Sequence, residues 1–151
     1  MKKYLLLAGS LLALSACSKK DDVAPGLQGL LTAKPWRISA YTTTITNAGV
    51  ATTKDSYANM PACSQDDVFT FKNDHTLTVD EGATQCSPAT AFDSFAWSFS
   101  NDQTQLLIAN PDHTSPETND LLELSATMLR VRITTARTND VKVETITFTS
   151  F

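Results

Sequence analysis

The residues able to do chemistry are few and widely spaced. There are three cysteines, Cys17, Cys63 and Cys86, and two histidines, His75 and His113. A hydrolytic site needs a nucleophile, a base and an orienting group within reach of one another. Neither histidine sits in a Gly-x-Ser-x-Gly or His-Glu-x-x-His context, so neither brings that machinery with it. Carboxylates gather once, at Asp66-Asp67 with Asp74, Asp80 and Glu81. A calcium ion needs about six to eight oxygens converging on one point. These acids lack the spacing of a calcium loop, because Asp74 and Asp80 flank a strand-like segment, and turn capping and strand-end protection account for them. Two sulfurs with His75 between them do not complete a four-ligand zinc site. The expectation is a non-enzyme with no catalytic residue, no metal and no cofactor.

Cys17 differs from the other two in what precedes it. Met1-Lys2-Lys3 opens the chain, and an uncharged, Leu/Ala-rich run follows from Tyr4 to Ala16. That run is too short for a membrane span, which takes about 20 apolar residues, but it has the layout of an export signal. It ends in Leu14-Ser15-Ala16-Cys17, which resembles the lipobox of bacterial lipoproteins. The resemblance implies that 1–16 are removed and that Cys17 becomes the first residue, acylated on sulfur. Residues 17–26 then form a polar tether. Within it Ser18-Lys19-Lys20-Asp21-Asp22 resembles the charged signal of surface-exposed lipoproteins of Bacteroidota, and reads equally as a solvated linker. The expected location is the bacterial outer membrane, lipid-anchored, facing the periplasm or the cell surface. Export also decides the remaining cysteines: an even pair in an oxidising compartment defaults to a disulfide, Cys63–Cys86. Its loop of roughly twenty residues is worth roughly 3 kcal/mol in the chain-entropy picture.

The 151 residues carry a net charge of −4, and losing Lys2 and Lys3 makes it more negative. A dispersed acidic balance excludes nucleic acid as a partner, which needs a basic patch. It also excludes electrostatic adhesion to anionic lipid, so the acyl chains must hold the membrane, at about 0.8 kcal/mol per buried CH₂.

The elements that must position these residues read as β-strands. Leu27, Leu30 and Leu31 have helical spacing and predict one short turn. From Trp36 onward the period is two. Trp36, Ile38 and Ala40 alternate with Arg37, Ser39 and Tyr41; Phe95, Trp97 and Phe99 alternate with Ala96, Ser98 and Ser100; Leu129, Val131 and Ile133 alternate with Arg130, Arg132 and Thr134. Asn73-Asp74, Asn101-Asp102, Asn110-Pro111-Asp112 and Asn139-Asp140 punctuate the runs as turns. Strands are predicted over 36–46, 67–72, 76–80, 94–100, 105–109, 121–125, 128–135 and 141–149. The last changes phase between Val141/Val143 and Ile146/Phe148, which predicts a bulge near Glu144. Residues 27–151 therefore form one all-β domain, an antiparallel meander curled into an open sheet or an up-and-down barrel.

The order of landmarks is Trp36, Cys63, Asp66-Asp67, Phe69-Thr70-Phe71, Asn73-Asp74, Gly82, Cys86, Trp97, Leu122-Glu123-Leu124 and Leu129-Arg130-Val131. It is similar to that of the small lipocalin-like lipoproteins of Bacteroidota, over roughly 27–149. Two features depart from the pattern: Lys34 stands where the Gly of a Gly-x-Trp motif would fall, and the turn Lys72-Asn73-Asp74-His75 has no glycine. The resemblance implies a lipocalin-like barrel acting as a binding module for a small apolar ligand, a peptide or a glycan. Trp36, Phe71 and Trp97 are the expected ligand-lining residues. The alternative is an interaction or structural protein of the cell envelope with a solid core, meeting a protein partner through loops 47–62 and 110–120.

Overall fold

The computed structural model describes residues 26–86, 92–109 and 115–151. The leader, the lipobox with Cys17, most of the tether, the Asn110-Pro111-Asp112 turn and His113 lie outside them. After a short helix α1 (Leu27–Thr32) come β1 (Trp36–Asn47), β2 (Val50–Asp55), a one-turn helix α2 (Ala62–Gln65), β3 (Val68–Phe71), β4 (Thr76–Asp80), β5 (Phe92–Phe99), β6 (Gln105–Ala109), β7 (Glu117–Leu124), β8 (Met128–Ala136) and β9 (Asp140–Ser150). All pairings are antiparallel. The strands β1 and β3 to β9 pair in order, and β9 pairs back onto β1, closing an eight-stranded barrel with β2 as an added strand. Closure pairs the edges of the eight-stranded ring that an open curled sheet would leave free.

β1 is long enough to serve two neighbours on one edge. Its first residue, Trp36, pairs with Phe69 of β3. Further along, Thr42–Asn47 pair with Asp55–Val50 of β2. The hairpin between them turns on Ala48 and Gly49, both with positive φ (48° and 81°), as the type I′ geometry that matches strand twist requires. The predicted loop 47–62 thus contains a strand, and α2 begins at its end. The turn into β4 puts His75 at φ 66°, taking the left-handed position that glycine usually fills.

Tight turns join strands at one end of the barrel, at 72–75, 100–104 and 125–127, and α1 packs there against β3 and β7. Those two strands stand on opposite sides of the ring, so α1 lies across the end as a plug. Trp36 fixes it: the indole Nε1 donates to Leu31 O at 2.8 Å, and both residues are fully buried. The core comprises Leu31, Trp36, Phe71, Leu77, Trp97, Leu106, Leu129, Val131 and Phe148. The outer wall of β7 and β8 is charged, with Arg132 paired to Asp120 at 2.9 Å and Arg130 to Glu123 at 3.7 Å.

The predicted bulge near Glu144 is absent. β9 runs without interruption past Glu144, which pairs with Thr43 and with Ile133. Glu144, Ile146 and Phe148 share the inner phase, and Val141 is exposed. The irregularities fall instead at Ser39 of β1 and Leu122 of β7, each an extra residue against its partner strand. The first inverts the expected facing of Tyr41. After Ser39 the phase switches, and Tyr41 pairs with inward-facing Ile146.

Candidate functional site

Between the plugged end and the open mouth the lumen is not filled. A cavity of about 200 Å³ remains. Phe69 and Phe71 of β3, Leu77 of β4, and Leu106 and Ile108 of β6 form one side; Leu129, Val131 and Ile133 of β8, Ile146 and Phe148 of β9, and Ile38 of β1 form the other. Each is an inward member of its strand's alternation, so the period-two pattern builds the wall. Two polar residues interrupt it, Glu117 and Asn119, both on β7. Ile108 pairs with Glu117 and Leu106 with Asn119, and directly paired residues share a face. Asn119 is only 4% exposed, whereas Glu117 stands at the mouth in solvent.

A second polar group completes the mouth. The Tyr41 hydroxyl donates to Glu144 Oε1, and Lys142 Nζ lies 2.7 Å from Glu144 Oε2. Burial, and then the hydrogen bond to Glu144, push the Tyr41 hydroxyl above its usual range, with the charges of Glu144 and Glu117 adding to the rise. Burial alone would push Glu144 up. The hydrogen bonds from Lys142 and Tyr41, with the charges of Lys142 and Arg137, outweigh it and hold that carboxyl low.

Of the three aromatic residues expected on a ligand wall, Phe71 lines the cavity. Trp36 and Trp97 do not. Trp36 seals the plugged end. Trp97 is 2% exposed, packs edge-on against Phe71 and Phe99, each at 5.7 Å, and donates from Nε1 to Lys72 O at 3.2 Å. His75 lies beside it, ring centroids 5.0 Å apart. The polar lining residues were missed by sequence reasoning because Glu117-Thr118-Asn119-Asp120 carries no apolar alternation. The signal that could have found them is the continuation of the Leu121 phase back through Asn119 and Glu117.

The disulfide joins α2 to the segment after β4, both at the open end, with Cys63 and Cys86 Cα atoms 5.2 Å apart. The neighbouring acids divide. Asp66 Oδ2 accepts from the backbone N and Oγ1 of Thr84, at 2.9 and 2.7 Å, and those bonds hold its carboxyl low. Asp67 goes the other way, raised by burial and then by the charges of Glu81 and Asp66. Gly82 is required where it stands, since a Cβ there would lie 2.1 Å from the Asp66 carbonyl oxygen. Asp74 is at the opposite end of the barrel, capping Thr76 N at 3.0 Å.

A closed antiparallel barrel with an apolar lumen, a plugged end and a polar mouth defines a class of protein built around its interior. Residues 32–131 match the lipocalin-like domain family, and residues 1–18 match the prokaryotic membrane lipoprotein lipid attachment site. The chain belongs to the lipocalin-like domain family and is a membrane-anchored lipocalin-like lipoprotein. No curated protein matches it.

Proposed function

We propose that this lipoprotein is a binding module that takes one small apolar ligand into the barrel lumen. The observation that carries the reading is the unfilled, apolar cavity of about 200 Å³. Cores normally close-pack, with few voids larger than a water molecule. A dry apolar cavity of roughly 150 Å³ suffices to bind benzene, whereas sites for drug-sized ligands begin at roughly 300 Å³. The ligand is therefore small, on the scale of one ring or a short branched chain. The wider assignment goes with it: 1–16 as leader, 17–26 as lipidated tether with Cys17 acylated, 27–151 as the binding domain, and an outer-membrane location in a bacterium of the Bacteroidota type.

The test is native mass spectrometry of the mature protein in nanodiscs, with ethylbenzene and similar small apolar compounds added. Bound adducts are expected for the wild type and not for Val131→Phe, which fills the lumen. If the wild type holds none of these compounds, or if Val131→Phe retains them, the lumen is not the site.

A further inference from the structure

We propose that the lumen selects ligands whose polar end is a hydrogen-bond donor, an amine above all, and rejects carboxylates. This rests on the lumen being a ligand site, as proposed above. Glu117 and Asn119 are two apart on β7 and face the same cavity, where all other lining residues are apolar. Asn119 is 4% exposed. Its Nδ2 donates to the backbone O of Glu117 at 3.4 Å, while its Oδ1 accepts no hydrogen bond among the described residues. The Asn119 side chain lines the cavity. The Glu117 carboxylate, nearer the mouth, also has neither ion pair nor hydrogen bond among the described residues. One wall therefore presents two acceptors in line, neutral below and anionic above.

The Tyr41 donor of the facing rim is already used, and the charge of Lys142 is already paired. Tyr41 donates to Glu144, and Lys142 holds the second oxygen of the same carboxylate. A ligand carboxylate would bring acceptors to acceptors and a like charge to Glu117. An ammonium carries three donors and no acceptor, enough for Asn119 Oδ1 and Glu117 together. A hydroxyl has one donor and serves Asn119 alone. Specificity of this kind comes as much from what the site penalises as from what it attracts.

The probes are 2-phenylethylamine, 2-phenylethanol and phenylacetate, with ethylbenzene as the apolar reference. Binding to the mature protein in zwitterionic nanodiscs is measured by calorimetry at pH 7, with empty nanodiscs subtracted. The amine should bind about tenfold more tightly than the alcohol, as a charge-assisted bond adds, and the carboxylate more weakly than both. Glu117→Gln should bring amine and alcohol to within about threefold of each other and leave the alcohol unchanged. Asn119→Leu should weaken both about tenfold while ethylbenzene still binds, which separates lost recognition from lost folding. Equal binding of the three polar probes, or preference for phenylacetate, overturns the proposal while ethylbenzene binding keeps the lumen reading. If ethylbenzene does not bind, the lumen reading falls and takes this one with it.

Discussion

Trp97 is held by ring contacts to Phe71, Phe99 and His75 and by the bond from its indole to Lys72 O. Truncating such a ring leaves a void that its neighbours only partly fill. Trp97→Ala should cost roughly 3–5 kcal/mol, a large share of the 5–15 kcal/mol or so that holds a typical domain. Ser98 is exposed on the outer face of the same strand, and Ser98→Ala should stay within about 0.5 kcal/mol. Urea denaturation of both variants compares them, and a larger loss at Ser98 would mean the facing of β5 is inverted. Asp67 offers a test of opposite sign. Its Oδ1 is buried without a hydrogen bond, and burial, Glu81 and Asp66 raise its pKa in the folded state. A carboxyl raised above its unfolded value, about 3.9, binds its proton more tightly when folded. Its charge therefore opposes folding at neutral pH, and that penalty disappears as pH falls through the raised pKa to below about 3.9. Asp67→Asn should accordingly stabilise the protein at pH 7, on the order of 0.5–2 kcal/mol. The gain should vanish near pH 3. Melting curves at the two pH values read it, and an equal gain at both would show that charge is not the cause.

Strand identity was largely written in the period-two pattern, because inward apolar residues recur along most of the chain. Its failures have local causes. Ser39 adds one residue to β1, and a bulge carries no hydrophobic signature of its own, so Tyr41 read as outward. β2 escaped notice because Val50–Asp55 is exposed throughout and has no face to alternate. The turn before it uses Ala48-Gly49 rather than the Asn-Gly or Asp-Gly pair that marks such turns in sequence. β7 begins four residues earlier than predicted since its inward positions there are Glu117 and Asn119. That failure fell on the candidate site, where a strand gives up apolar packing for polar groups. The Cys63–Cys86 pairing was legible from parity and export, but its place beside the mouth needed the topology. The bridge ties α2 to the segment following β4, two connections with little packing of their own. Replacing both cysteines by Ala should lower stability by roughly 3 kcal/mol through the freed loop of the unfolded chain. It should also raise amide exchange over 56–67 and 81–86 while leaving the turns of the plugged end unchanged. Uniform loss of protection around the barrel would show instead that the disulfide supports the whole fold.

At the scale of the whole molecule the two ends of the barrel have different tasks. The tether enters at Gly26, where α1 plugs one end, and the mouth with Glu117, Tyr41, Glu144 and Lys142 opens at the other. An anchor N-terminal to Gly26 therefore joins the barrel on the plugged side, opposite the mouth. The β7–β8 side of the barrel wall is polar. Its outer face carries the Asp120–Arg132 and Glu123–Arg130 pairs, where a membrane-spanning barrel presents an apolar band. Attachment through lipid on Cys17, as proposed above, agrees with the lipid attachment site matched over residues 1–18. Of the three cysteines, Cys63 and Cys86 occupy each other, which leaves Cys17 as the one thiol open to acylation. In the native host, an alkyne-bearing palmitate analogue should label the wild-type protein, and Cys17→Ser should abolish the label. Processing should change with it, since cleavage before residue 17 depends on the lipidated Cys, and intact-mass measurement should find the leader retained or cut elsewhere. Label persisting in Cys17→Ser, or a wild-type mass with no acyl addition, would falsify lipid anchoring at this residue.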